Sequence, residues 1–371
     1  MLSKAFLYLI ILAVSVTAAI PPTKRATCSG GRTTANKACC VWFDVLDDIQ
    51  ENLFSGGDCG DEARESLRLI FHDAIAWSPA LIALGQGGGA DGSIMAHTDV
   101  EMQDPVNNGL DEIIEAQRPF ALKHKVSFGD FIQFAGAVGV ANCNGGPQIQ
   151  FFAGRSNESR PAPPGLVPQP TDSVAEILLR IGDAGFLPVQ LVWMLVSHTI
   201  ASQKTTDPCS IRRMTEGTGK MVVFKRAPFD STPKDFDAQF FVETMLKGTF
   251  TPGQGLHSGE ALSPYPGEFR LQSDARISRD GLLACEWQDM IMDRGNMLQK
   301  FELTVLQLSL LGFDQSMLTD CSDVIPIATG TVADPFLPAG MSMDDIEASC
   351  IISPFPSLSA VPGPVTSLSP V

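Results

Sequence analysis

The chain has 371 residues, 44% of them apolar, which is ample for a buried core. Its 26 Lys and Arg stand against 42 Asp and Glu, a net charge of −16 that argues against nucleic acid as a partner. Nine cysteines include no Cys-x-x-Cys pair, which excludes zinc-ribbon, thioredoxin-like and covalent c-type haem motifs.

In chain order, residues 1–20 read as a secretory signal, with Lys4, an apolar run from Ala5 to about Val16, and then Ala18 and Ala19. The run is too short to span a bilayer, so no membrane association is expected. Residues 21–25 read as a propeptide ending in Lys24-Arg25, which places the mature extracellular chain from near Ala26. Removing residues 1–25 takes away three basic residues and no acid, leaving a net charge of −19. Secretion makes disulfides the default for Cys28, Cys39, Cys40, Cys59, Cys143, Cys209, Cys285, Cys321 and Cys350, with one thiol left over. Asn157-Glu158-Ser159 is a glycosylation acceptor sequence and agrees with that route.

Helical periodicity marks 41–53, 61–76, 109–124, 128–141, 172–184, 188–201, 237–247 and 296–311. No stretch alternates like a strand for long, so the fold class is mainly α. Asp172 is the expected cap of the fifth helix, and Pro188 suits the first turn of the sixth. Gly- and Pro-rich connectors fall at 85–92, 144–147, 161–170 and 252–267. The tail from Val332 carries seven prolines and is expected to wrap the surface.

Chemistry concentrates in Arg68-Leu-Ile-Phe71-His72-Asp73. On a helix, Asp61, Glu65, Arg68 and His72 recur at spacings of four, three and four and share one face. Such a stripe can be a solvated charged face. Arg68 and His72, however, sit among apolar residues, where an uncompensated charge is costly and implies an anionic or polar partner. A second amphipathic segment carries Trp193, Ser197 and His198, so two of only five histidines lie on helices able to hold a cofactor between them. A hydrogen-bonded core histidine is the alternative for either. After each histidine comes an oxygen-rich loop, Gly87 to Ser93 and Asp230 to Asp237, of the kind a hard cation such as calcium requires.

With these pieces assembled, the chain resembles the secreted fungal haem peroxidases of the ligninolytic group, the lignin, manganese and versatile peroxidases. The resemblance runs from Ala26 to about Val371. It is carried by Arg68 to Asp73, Gly88 to Ser93, Phe131-Ile-Gln-Phe-Ala-Gly-Ala137, Ser197-His198-Thr199, Pro228 to Pro233, Leu271-Gln-Ser-Asp274 and Asp320 to Pro326. It implies a two-part helical fold holding haem between a distal half, residues 26–170, and a proximal half, residues 171–331, followed by the tail 332–371. One haem b and two calcium ions are implied as cofactors, hydrogen peroxide and lignin-related aromatic or phenolic compounds as substrates, and a monomer as the working form.

By the same resemblance His198 would be the haem-iron ligand, with Asp274 accepting its other ring proton and Phe71 and Phe229 beside the cofactor. His72 would be the general base and Arg68 the stabiliser of developing charge, with Asn107 hydrogen-bonding His72 to keep it basic, backed by Glu101. Distal calcium would use Asp73, Gly89, Asp91 and Ser93; proximal calcium would use Thr199, Asp230, Thr232, Asp235 and Asp237. The implied disulfides are Cys28–Cys40, Cys39–Cys321, Cys59–Cys143 and Cys285–Cys350, leaving Cys209 over.

Trp193 lies five residues before His198, about 140° round an ideal helix from the ligand face. The resemblance makes it the surface site that oxidises bulky aromatics by long-range electron transfer; simple packing against a neighbouring helix is the alternative. Gln190 replaces a carboxylate that several relatives carry three residues before this Trp, while Glu286 keeps another matching acidic position. The family's manganese site would need three carboxylates, and the matching positions here are Asp61, Glu65 and Lys204. Exchanging a carboxylate for an ammonium turns attraction for a cation into repulsion, so weak or absent manganese oxidation is expected. Residues 209–226 lengthen one connection, with Cys209 and five basic residues, and read either as an insertion or as a gene-model error. Versatile or manganese peroxidase, or a catalytically silent calcium-binding protein of the same fold, are the competing readings.

Overall fold

The computed structural model describes residues 25–203, 226–248 and 259–371. The leader, Lys204, Cys209 and most of the 209–226 segment lie outside the described residues.

Helices dominate, and the described strands are two-residue pairs: Ala26–Thr27 with Thr33–Thr34, Phe152–Ala153 with Thr319–Asp320, and Ser202–Gln203 with Ala227–Pro228, all antiparallel. In chain order the helices are α1 (Cys40–Asn52), α2 (Asp61–Ala74), α3 (Pro79–Ala83), α4 (Ser93–Ala96), α5 (Thr98–Glu101), α6 (Asp111–His124) and α7 (Phe128–Ala141). They continue as α8 (Val174–Asp183), α9 (Pro188–Met194), α10 (Gln239–Glu243), α11 (Gln272–Ile277), α12 (Ala284–Met292) and α13 (Arg294–Ser309).

Helix α2, which carries the Arg68/His72 stripe, lies along α7. The approach depends on Gly136 and Gly139. A Cβ at Gly136 would sit 2.1 Å from Ile70 Cδ1, and one at Gly139 would sit 3.0 Å from the Ala63 carbonyl oxygen. Each helical glycine costs about 1 kcal/mol in propensity relative to alanine. Here it is offset by burial, since all of α7 beyond Phe128 is buried. The apolar face of α2 thereby turns inward, with Leu69, Ile70 and Ala74 fully buried. They join a continuous core that includes Phe131, Phe134, Phe240, Phe241, Trp287 and Phe301.

Several boundaries differ from expectation. Ser173, not Asp172, caps α8: its hydroxyl accepts from Glu176 N while Glu176 reaches back to Ser173 N at 2.8 Å. This is the reciprocal capping box. Asp172 instead accepts from Gln169 N in the preceding turn. Pro188 does occupy the first turn of α9. Beyond Met194 the segment tightens into a 3-10 turn over Leu195–Ile200, so the continuous helix assumed for 188–201 does not hold. The helix expected over 237–247 is confined to Gln239–Glu243, because Leu246 pairs with Ile346 and Lys247 N donates to Asp345 O. Helix α12 has no counterpart among the expected helices; its apolar residues Trp287, Met290 and Ile291 face the core within a span too short for a clear period.

Disulfides join Cys28 to Cys40, Cys39 to Cys321, Cys59 to Cys143 and Cys285 to Cys350. The tail runs over the body: Glu347 N donates to Met245 O, Leu368 N to Pro266 O and Val371 N to Arg226 O. Asn157 is exposed. Among the described residues no single helix is long and apolar enough to cross a membrane.

Candidate active site

A cavity of about 400 Å³ separates α2 from the 3-10 turn, lined by Arg68, Phe71 and His72 on one wall and by Leu195, His198, Phe229 and Asp274 on the other. The two histidines singled out in sequence thus face one space.

On the α2 wall, His72 Nδ1 lies 2.8 Å from Asn107 Oδ1. The amide's orientation is fixed because Asn107 Nδ2 donates to the Glu101 backbone carbonyl at 2.9 Å. An amide oxygen can only accept, so Nδ1 carries the proton and Nε2 keeps its lone pair. Arg68 Nε, 3.4 Å from that Nε2, agrees with this tautomer. Burial first, then the Arg68 charge, pushes the His72 pKa down to about 3, against the upward pull of Asn107. Asn107 therefore acts in the direction expected of it, favouring the protonated ring, but burial outweighs it and the ring is neutral. Glu101 backs Asn107 through its main chain; its carboxylate accepts from Ala162 N instead.

On the other wall His198 Nδ1 is 3.0 Å from Asp274 Oδ2, and the Asp274 side chain is 1% exposed. Phe229 and Phe240 hold the imidazole edge-on at 5.3 and 5.4 Å. With Nδ1 committed to a carboxylate, Nε2 is the nitrogen free to bind a metal, and the donation makes it a stronger ligand. A largely apolar cavity between a free base and a carboxylate-backed imidazole is the environment a haem fits.

Two oxygen clusters flank this cavity. Asp73 and Asp91 lie near Ser93, whose hydroxyl is buried without a hydrogen-bond partner. Burial, with the charges of Asp91 and Glu101 added, holds the Asp73 carboxyl well above the usual range. Asp73 accepts from Gly92 N and Ile94 N, so α4 and its preceding turn are folded around it. On the proximal side Thr199 Oγ1 is 2.8 Å from Asp230 Oδ2 and 3.2 Å from Asp237 Oδ1, with Thr232 Oγ1 also 3.2 Å from Asp237. Burial likewise raises Asp237 to about 6. Asp235 faces this cluster through its backbone carbonyl, its side chain being bonded to Asn144 at 2.8 Å. Among the described residues no three His, Cys, Asp or Glu side chains converge as a metal site. In both clusters the donors mix carboxylate with hydroxyl oxygen, and the proximal one adds the Asp235 main-chain oxygen, the mixture calcium takes.

At the outer end of α2, the acidic pair is already occupied by a cation from within the chain. Arg226 Nε is 2.7 Å from Asp61 Oδ2 and its Nη1 is 2.8 Å from Glu65 Oε1; the residue is 7% exposed. Arg64 adds a second guanidinium 3.4 Å from Asp61. Arg226 ends the basic 209–226 segment, yet it stands next to the Ala227–Pro228 strand and belongs to the folded body. Its nearness to Phe229 and Asp230 in sequence was the signal that could have found it.

Trp193 is half-buried, not exposed, and its Nε1 donates to Glu286 Oε1 at 2.6 Å. Gln190 does not approach it: its Oε1 caps α9 at Leu187 N and its Nε2 donates to Gln307. The missing carboxylate at this position has thus become a helix-capping amide.

A mainly helical chain with a buried neutral His72 beside the charged Arg68, facing a carboxylate-backed histidine across one slot, has the architecture of a haem peroxidase. Residues 45–293 match the Peroxidase family and residues 296–371 the Fungal peroxidase extension region, the latter taking in α13 and the tail. The chain is 50% identical to "Peroxidase" of Arthromyces ramosus over 346 residues, covering 93% of this chain and 91% of that one. It is 51% identical to "Versatile peroxidase VPS1" of Pleurotus eryngii, covering 97% of each, and 50% identical to "Ligninase B" of Phanerodontia chrysosporium, covering 97% and 95%. The chain belongs to the fungal branch of the peroxidase family and is a hydrogen-peroxide-dependent oxidoreductase.

Proposed function

We propose that this is a secreted peroxidase that oxidises lignin-related aromatic compounds, with His198 holding the haem and Trp193 passing electrons from substrates too bulky to enter the cavity. The observation that carries the haem assignment is the pair of histidines on one cavity, His72 bound to an amide and His198 to a carboxylate. When bound, the haem supplies the iron that receives peroxide and the store of oxidising equivalents.

His72 Nε2 takes the proton from hydrogen peroxide and gives it to the departing oxygen. Its neutral state at working pH makes it available as a base. Arg68, held by Val106 O and Asn108 O at 3.3 and 3.1 Å, stabilises the negative charge that develops on that oxygen. Asp274 orients His198 through its Nδ1 proton. Trp193 lies on the same continuous segment as His198, and Glu286 accepts its indole proton. Ligninase and versatile peroxidase relatives at about half identity support the aromatic substrate class.

Manganese oxidation is disfavoured, because Arg226 neutralises Asp61 and Glu65 and a divalent ion would have to displace a buried guanidinium. Assay of the secreted protein with peroxide separates these readings. Veratryl alcohol should be oxidised, and Trp193→Ser should abolish that while sparing small phenols. Rapid Mn(II) turnover at micromolar metal, or full veratryl alcohol activity in Trp193→Ser, would overturn the assignment.

One calcium ion is assigned to Asp73, Gly89, Asp91 and Ser93, and another to Thr199, Asp230, Thr232, Asp235 and Asp237. The unpartnered Ser93 hydroxyl and the buried Asp73 beside Asp91 support the first, and the buried Asp230 beside Asp237 supports the second. Metal analysis of the purified protein should return calcium at both sets; a calcium-free, fully stable protein would refute them.

A further inference from the structure

The environment of Trp193 contains a cation that the peroxidase reading does not use. Lys300, on α13, places Nζ 5.6 Å from the centroid of the Trp193 ring. The same Nζ donates to Glu286 Oε1 at 2.6 Å, the very oxygen that accepts the Trp193 indole N–H at 2.6 Å. It donates also to Asp289 Oδ2 at 2.6 Å, which anchors it from α12. Desolvation works against its charge, but the bonds to Asp289 and Glu286 outweigh that and raise its pKa. Lys300 is partly buried, so its field at the ring is screened less than that of a surface lysine.

We propose that Lys300 is the positioning residue that sets the oxidising power of Trp193, and so determines how electron-poor an aromatic the protein can oxidise. The inference rests on the assignment of Trp193 as the electron-transfer site. When Trp193 is oxidised, one electron leaves the indole for the peroxide-oxidised haem, the Nε1–H bond breaks, and the proton moves to Glu286 Oε1. An aromatic donor then returns an electron to the ring, becoming a radical cation itself, and the proton goes back from Glu286 to Nε1. Lys300 opposes the first half of this cycle twice. Its charge repels the unit of positive charge that the Trp193–Glu286 pair gains when the electron leaves, and its Nζ already donates to the Glu286 oxygen that must take the indole proton. Both effects raise the potential of the Trp193 couple. Trp193 becomes harder to oxidise and, once oxidised, a stronger oxidant.

Haem-loaded wild type is compared with Lys300→Met and Lys300→Arg, each mixed with peroxide and a series of methoxybenzenes of graded oxidation potential. The tryptophanyl radical is followed in parallel by EPR in the absence of donor. Lys300→Met should lose about tenfold or more of its turnover on the hardest donors while keeping the easy ones, as expected for removing a unit charge this close to the ring. Its tryptophanyl radical should accumulate to a higher level and decay more slowly. Lys300→Arg, which keeps the charge, should retain the wild-type threshold. Lys300→Gln serves as the neutral variant if the methionine variant does not fold. An unchanged donor threshold and radical lifetime in the neutral variant, with a radical present, overturns the role of Lys300 alone. If wild type gives no tryptophanyl radical and Trp193→Ser keeps its activity on these donors, the Trp193 assignment itself falls.

Discussion

One wall of the cavity offers a histidine buried to 8% exposure whose Nδ1 proton goes to an amide; the other offers a histidine with 23% of its side chain exposed whose Nδ1 proton goes to a carboxylate. An amide oxygen is a weak acceptor and leaves the His72 ring neutral with a modestly basic Nε2, suited to moving protons. A carboxylate is a full charge and pushes electron density onto Nε2 of His198, suited to binding a metal. On the proposed function, the same side chain serves as a proton shuttle on one wall and as a ligand on the other because of what stands behind it.

The comparison breaks most severely at the base. His72→Leu should retain haem but slow peroxide activation by roughly a thousandfold, the range for losing a positioned general base; stopped-flow spectra after mixing with peroxide measure it. Asp274→Asn sharpens the other wall. Replacing the carboxylate by an amide makes the two histidines alike, and haem affinity or activity should fall by about ten- to a hundredfold, read from haem retention on gel filtration and from turnover. The smallest effect is on pH. The His72 pKa is pushed down from 6.5 to about 3, so between these values the unfolded chain holds a proton that the folded chain lacks. Its contribution therefore makes folding less favourable as pH falls from about 6.5 to 3, whereas peroxide activation should persist down to roughly pH 4. Activation that already titrates away near pH 6 would contradict the neutral, buried setting of His72.

A second contrast runs along α2 itself. Its inner end, Arg68 and His72, and its outer end, Asp61 and Glu65, form one continuous stripe, linked by Arg68 Nη1 to Glu65 Oε2 at 3.4 Å. The inner end opens on the cavity between the two histidines; the outer end is closed by Arg226. Sequence spacing makes these four residues equivalent members of one face, and only the partner arriving from residue 226 separates the end that faces the cavity from the end that is sealed.

Much of the fold and site was legible because it depends on local spacing. Helical period put Arg68 and His72 on one face, and α1, α2, α6, α7, α8 and α13 came within a few residues of their expected limits. Asp274 and Asn107 could be named only by resemblance, since no local pattern ties a residue to a histidine 76 or 35 positions away. The contact of Gln190 Nε2 with Gln307 on α13 was hidden for the same reason, its partner lying 117 positions away. Arg226 was hidden by its place in a segment that reads as foreign to the chain.

What the sequence determined alone was the chemistry available: a mainly helical chain, two histidines on apolar faces, an arginine one turn from one of them, and paired oxygen-rich loops. These follow from side-chain periodicity and composition, which are local properties. The tertiary structure decided which protonation state and which partner each group has. It made His72 neutral by burial, gave His198 a carboxylate, filled the acidic pair with Arg226, and set Lys300 beside Trp193. Desolvation and Coulomb interaction depend on distance in space, and distance in space is what a list of residues does not contain.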